Sequence, residues 1–280
     1  MSPIHDQTYR RYQGTRQPLG RSWAVIASAG IRHMLARRAF LALMILAWVP
    51  FLVRAIQIYA VTMYPQAGQI VPIDATLYQD FLEQQGVFFF LVAIYVGAGL
   101  IASDRRANAL QIYLSKPLLR IEYIGGKLAV LMTFLLMVSL VPALMLLLLH
   151  VGFAGLDFLR TNASIIPSVT LAALLRVLVA SFTMLALSSL SKSTRYVAIL
   201  YTGIIFFTEA VYGVLRLVTG SSRVAWVSVT ANLDQVSDLI FRQPLRYETP
   251  VIVSILVLAA LIAVSISVLE RRVKGVEVVS

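Results

Sequence analysis

Few of the 280 residues are of types that make or break bonds. There is no cysteine, hence neither a thiolate nucleophile nor a disulfide framework, and the three histidines, His5, His33 and His150, are not spaced as metal ligands. No His-Glu-x-x-His helix motif is present, and no paired acids or Ser/His set gathers at one face, as an enzyme acting on lipid would need. Gly126-Lys127 resembles the end of a phosphate loop. That loop, however, requires a glycine five residues before its second glycine and Ser or Thr after the lysine, and Ile121 and Leu128 occupy those places. The chain is therefore expected to be no enzyme, and to hold no metal, cofactor or ATP site of its own.

The remaining candidates are charges inside apolar runs: Arg54, Arg176, Glu209 and, near a run's end, Arg216. The elements that carry them follow from composition. The chain is 59% hydrophobic and 13% charged, with a mean hydropathy of +0.82. Soluble domains carry about 25% charged residues, so a soluble globular domain is excluded and a bilayer is the expected solvent. A spanning helix takes about 20 apolar residues, and six such runs stand at 39–61, 86–102, 127–150, 166–190, 196–218 and 250–269. The expected fold is an all-α membrane protein of six transmembrane helices in one domain, 21–275, between a flexible tail over 1–20 and a short one over 276–280.

Six spans put both termini on one side, and the basic residues choose it. That side holds 17 of the 24 Lys and Arg residues, the other four, and three lie within spans. Positively charged loops stay cytoplasmic, which places both termini inside and makes the chain a multi-pass protein of the cytoplasmic (inner) membrane. The net charge of +11 follows this topology and needs no nucleic-acid partner. Ahead of the first run, Trp23, Ile26, Ala27, Gly30 and Met34 recur at helical spacing with Arg32 opposite, an amphipathic helix suited to the interface. It either serves only to lead into span one, with arginine on headgroups, or also touches a cytoplasmic partner.

At about 1.5 Å per residue, Arg54, Arg176 and Glu209 all lie roughly 20 Å from the cytoplasmic ends of their spans. One level can thus hold an Arg–Glu–Arg cluster, with Glu209 paired to Arg176 or Arg54. Such a cluster would pin helices, snorkel outward in part, or line a translocation route. Pro142 removes a backbone donor inside the third span and should kink it. Ala93 and Gly97 form a small-xxx-small pair that permits close helix contact. In the last outer loop, Leu233, Val236, Leu239 and Ile240 read as a short amphipathic helix after an Asn232 cap.

The segment between the second and third spans carries the most information. Ser103 can cap a helix of about eleven residues that Asp104 complements and Pro117 ends. Leu110, Tyr113 and Leu114 form an apolar knob at i, i+3, i+4, ringed by Arg105, Arg106, Lys116 and Arg120. This is either a docking surface with an apolar anchor or a loop lying on headgroups. The run Ser-Asp-Arg-Arg-Ala-x-Ala-Leu-x-x-Tyr-Leu-Ser-Lys-Pro-Leu-x-Arg, followed by Gly-Lys entering span three, resembles permease subunits of type-2 ABC exporters. The six-span layout and the leading amphipathic helix are similar too, so that the resemblance covers residues 21 to 275. It implies a coupling helix between spans two and three, with Asp104, Arg105, Arg106, Leu110, Tyr113 and Leu114 docking on an ATP-binding-cassette ATPase subunit that carries the ATP and Mg. It also implies a dimer with a second permease copy or paralogue in the lipid bilayer. The expected function is ATP-driven export of an unspecified cargo. The alternative, a secondary transporter or channel, would favour broken helices or inverted repeats, and neither is evident.

Overall fold

The computed structural model describes residues 22–64, 66, 76–109, 119–155, 158, 160 and 162–273. Both expected tails, and Leu110, Tyr113, Leu114, Lys116 and Pro117 of the expected coupling helix, lie outside them. Among the described residues the regular structure is all helical. Six helices are long and apolar enough to cross a membrane: Arg38–Met63, Leu77–Arg106, Arg120–Ala154, Ile165–Leu190, Thr194–Thr219 and Val251–Arg272, here spans one to six.

Every expected span has its helix, and two run well beyond their apolar runs. Span two begins at Leu77, nine residues before the run at 86. The extension carries Gln79, Asp80, Glu83, Gln84 and Gln85, whose polarity hides it from a hydropathy reading. The fold gives each of these groups at least one contact where it is buried, although Gln85 Oε1 stays without a partner among the described residues. Gln79 Nε2 donates to Asp238 Oδ1 (2.6 Å), Gln85 Nε2 donates to the Ala47 carbonyl (3.1 Å), and Glu83 accepts from Arg246 (2.7 Å). Span three begins at Arg120, where Glu122 reaches back to accept the Leu119 N–H (3.3 Å), one of the orphan donors of a helix start.

Spans one and three are each interrupted near a proline. Span one turns at Trp48, between Arg38–Ala47 and Val49–Met63, with Pro50 in the first turn of the second half. Span three turns at Ser139 (φ −105°, ψ −67°), three residues before the expected kink at Pro142. The displacement has a simple cause: proline lacks the N–H that would bond four residues back, so the ladder fails on its N-terminal side.

Lipid gives helices no hydrophobic reason to associate, so close backbone approach matters. Gly97 is where span two meets span four; a Cβ there would lie 2.3 Å from Met184 Cγ. The leading helix, Ser22–Leu35, lies against the start of span three. Its Ala27 and Met34 are buried, and Gly30 and Gly126 supply the close contacts, to Val130 and to Ile26 with the Trp23 carbonyl. Gly126, set aside above as a phosphate-loop residue, is thus a seat for a helix.

At the opposite end, the helix Val229–Phe241 packs on spans four and six. Its cap is Ser228, whose Oγ accepts the Ala231 N–H (3.0 Å), rather than the expected Asn232, which is buried and donates to the Trp226 carbonyl (2.8 Å). Of the expected apolar face, Val236 is buried, Leu233 and Ile240 pack against the core, and Leu239 is half exposed. Asp238, almost fully buried, gathers Gln79 and three donors of Arg246 (2.8–3.2 Å), while Arg246 also grips Glu83. The hydrogen bond to Glu83, opposed by burial and reinforced by Asp238, holds Arg246 above the ordinary arginine range. This knot ties three segments, so Asp238→Ala should cost about 3 kcal/mol, measured by denaturant unfolding in mild detergent; an unchanged midpoint would contradict it.

Candidate functional site

The junction after span two is built from both sides. Residues Ala102–Arg106 form its last helical turn. The expected Ser103 cap is absent: Ser103 lies inside this turn, and its hydroxyl bonds the Gly99 carbonyl. The cap comes instead from span four, where Ser188 Oγ accepts the N–H groups of Ile101 (3.1 Å) and Ala102 (3.0 Å) and donates to the Ala98 carbonyl (3.0 Å). Arg105 donates to the Ser189 carbonyl. Asp104 pairs with Lys127 Nζ (2.7 Å) and accepts the Tyr123 hydroxyl (2.7 Å), both from span three. Arg106 is exposed. Of the six expected docking residues, then, Asp104 and Arg105 fasten the segment to the bundle, Arg106 faces outward, and Leu110, Tyr113 and Leu114 fall outside the described residues.

The three intramembrane charges take separate partners, and the expected Arg–Glu–Arg cluster does not form. Arg54 donates from Nη1 to Gln57 Oε1 (3.1 Å) and from Nε to Gln84 Oε1 (3.2 Å). Glu209 is exposed on span five and accepts the Ser228 hydroxyl. Arg176 pairs with Asp234 Oδ1 (3.0 Å) and donates to the Leu82 carbonyl (2.9 Å). Depth along the spans says nothing of azimuth or of the folding-back of the last loop. Asp234 lies in that loop, on Val229–Phe241, and depth counted along spans alone could not bring it to Arg176. One signal was available: a loop helix carrying Asp234 and Asp238 beside apolar positions.

Arg176 and Asp234 stand in the wall of a cavity of about 130 Å³ between spans two, four, five and six and the Val229–Phe241 helix. Phe89, Phe90, Tyr201, Leu233 and Leu261 are among its apolar lining, and Ser139, at the break of span three, opens on it too. Burial lifts the Asp234 carboxyl from 3.8 to about 6, against the pull of Arg176. Arg176 Nε and Thr183 Oγ1, from two residues that line this space, have no hydrogen-bond partner. Among the described residues no group of His, Asp and Glu is arranged to hold a metal ion. The geometry offers a polar station inside an apolar bundle and a joint at the end of span two that is tied to spans three and four. No family model matches the sequence, and no curated protein does.

Proposed function

We propose that this chain is the membrane-spanning permease of an ATP-driven exporter, powered by a separate nucleotide-hydrolysing subunit. The observation that supports it is the fastening of Ala102–Arg106 to spans three and four through Asp104, Arg105 and Ser188. A segment meant to transmit force needs such anchorage: displacement of residues 107–119 would reach Lys127 and Ser189 directly. A loop resting on headgroups has no use for it. The cavity beside Arg176 and Asp234 lies between the helices that such a movement would shift, and supplies a polar step on the route.

The experiment is the double variant Leu110→Asp/Tyr113→Asp, co-expressed with the ATPase subunit. Membrane insertion should be unchanged, and stimulation of ATP hydrolysis should be abolished; undiminished stimulation would remove the docking reading. Asp104→Ala should lower that stimulation about tenfold while the subunits still co-purify. It frees the joint without altering the knob.

The permease works in this reading as a pair. Glu209 is exposed at mid-span with only a hydroxyl partner, and Arg54 meets only neutral amides. Span two touches span one through Phe40 and Tyr95, and span five through Phe90, Tyr201 and Phe206. A second copy related by a two-fold axis near span two would set span one against its span five, and Arg54 against its Glu209. The swap Arg54→Glu/Glu209→Arg should restore dimer that either single change removes, read by cross-linking in membranes; failure of the swap would contradict the pairing.

A further inference from the structure

A cleft of about 430 Å³ opens between the leading helix, spans two and three and the start of span five. His33, Arg37, Arg106 and Lys127 line it, with Asp104 the one acid among the described residues of its wall. Asp104 is neutralised by Lys127 at 2.7 Å. Among the described residues neither Arg37 nor Arg106 meets a carboxylate. Arg37 donates to His33 Nε2 (2.8 Å), which orients its guanidinium without consuming its charge. Two positive charges are therefore left over at the mouth of the cleft. Its floor is a different material: Met34, Tyr95, Val96 and Leu100.

We propose that this cleft binds the phosphate of an anionic glycerophospholipid, with Arg37 and Arg106 as the phosphate ligands and the apolar floor taking the upper acyl chains. The chemistry selects that class. Guanidinium groups present forked donors that match phosphate oxygens. Basic pockets between transmembrane helices, at the level where apolar spans give way to charged ends, hold anionic headgroups. A free phosphate would use the arginines and leave the floor idle. A zwitterionic lipid would bring its own cation against the two guanidiniums. The bound lipid would bridge the leading helix, through Arg37, to the joint at the end of span two, through Arg106. This inference needs only that the spans lie in a bilayer, and stands apart from any ATPase partner.

The test uses the full chain purified in mild detergent, with bound lipid counted by native mass spectrometry. Dioctanoyl phosphatidylglycerol should bind at least tenfold more tightly than dioctanoyl phosphatidylcholine, and less tightly as salt is raised. Inorganic phosphate at equal concentration should not displace it. Arg37→Gln/Arg106→Gln should weaken binding about tenfold; both side chains are exposed, so the thermal midpoint should hold and certify the fold. Arg271→Gln/Arg272→Gln removes the same charge elsewhere and should change nothing. Equal binding of the two lipids, displacement by inorganic phosphate, or equal loss in both double variants would overturn the proposal.

Discussion

Arg176→Leu should destabilise the protein by about 3 kcal/mol near neutral pH, because Asp234 loses its counter-ion and must take up a proton while the buried Leu82 carbonyl loses its donor. Both side chains of the pair are mostly buried, and Arg176 also satisfies the Leu82 carbonyl. The double variant Arg176→Leu/Asp234→Leu should recover most of the loss, since two apolar side chains replace a buried ion pair at little cost. The pH dependence is fixed in sign. The Asp234 carboxyl titrates near 6 in the folded chain against an ordinary 3.8. Its contribution to stability is therefore complete below 3.8 and is lost as pH rises through 6, a change of about 3 kcal/mol. Removing Arg176 raises the carboxyl further, so the deficit of Arg176→Leu should shrink on going from pH 7.5 to 5. Denaturant unfolding at the two pH values measures this. An equal deficit at both, or a double variant no better than the single, would contradict it.

The second large effect separates two adjacent glycines. A Cβ on Gly126 would lie 2.8 Å from Ile26 Cβ and 2.9 Å from the Trp23 carbonyl oxygen, whereas one on Gly125 would meet nothing within 4 Å. Backbone oxygen cannot swing aside as a side-chain end can. Gly126→Leu should therefore lift the leading helix off span three, at about 3 kcal/mol or more, beyond the usual 1–3 kcal/mol of overpacking. Gly125→Ala should be neutral or stabilising by up to about 1 kcal/mol, through helix propensity alone. Protease cleavage within Ser22–Leu35, together with the unfolding midpoint, distinguishes them: only the Gly126 variant should become cleavable.

These two sites show what a linear reading reaches. The six spans are plain in the sequence because apolar length is a local property, and the leading helix is plain because Ile26, Gly30 and Met34 keep helical period. The first nine residues of span two are not, because Gln79, Glu83 and Gln85 become tolerable only through Asp238, Arg246 and the Ala47 carbonyl, which arrive from 38 to 163 positions away. The same holds for the intramembrane charges. The sequence reveals that Arg176 needs a partner, and the common depth with Glu209 suggests one. The partner is Asp234, which only the folding-back of the Val229–Phe241 helix delivers. Caps err for a related reason: Ser103 is a good local candidate, yet Ser188, 86 residues from the Ala102 N–H it accepts, does the capping.

The proposed function requires residues 107–119 to meet a nucleotide-driven subunit on the cytoplasmic side. The most direct measurement places a photo-reactive benzoylphenylalanine at position 113 of the full chain and irradiates intact membranes. The account predicts one dominant adduct, to a protein that binds and hydrolyses ATP, formed on the cytoplasmic face and lost with Leu110→Asp. Adducts to lipid alone, or reaction of position 113 with a membrane-impermeant reagent added outside intact cells, would contradict it.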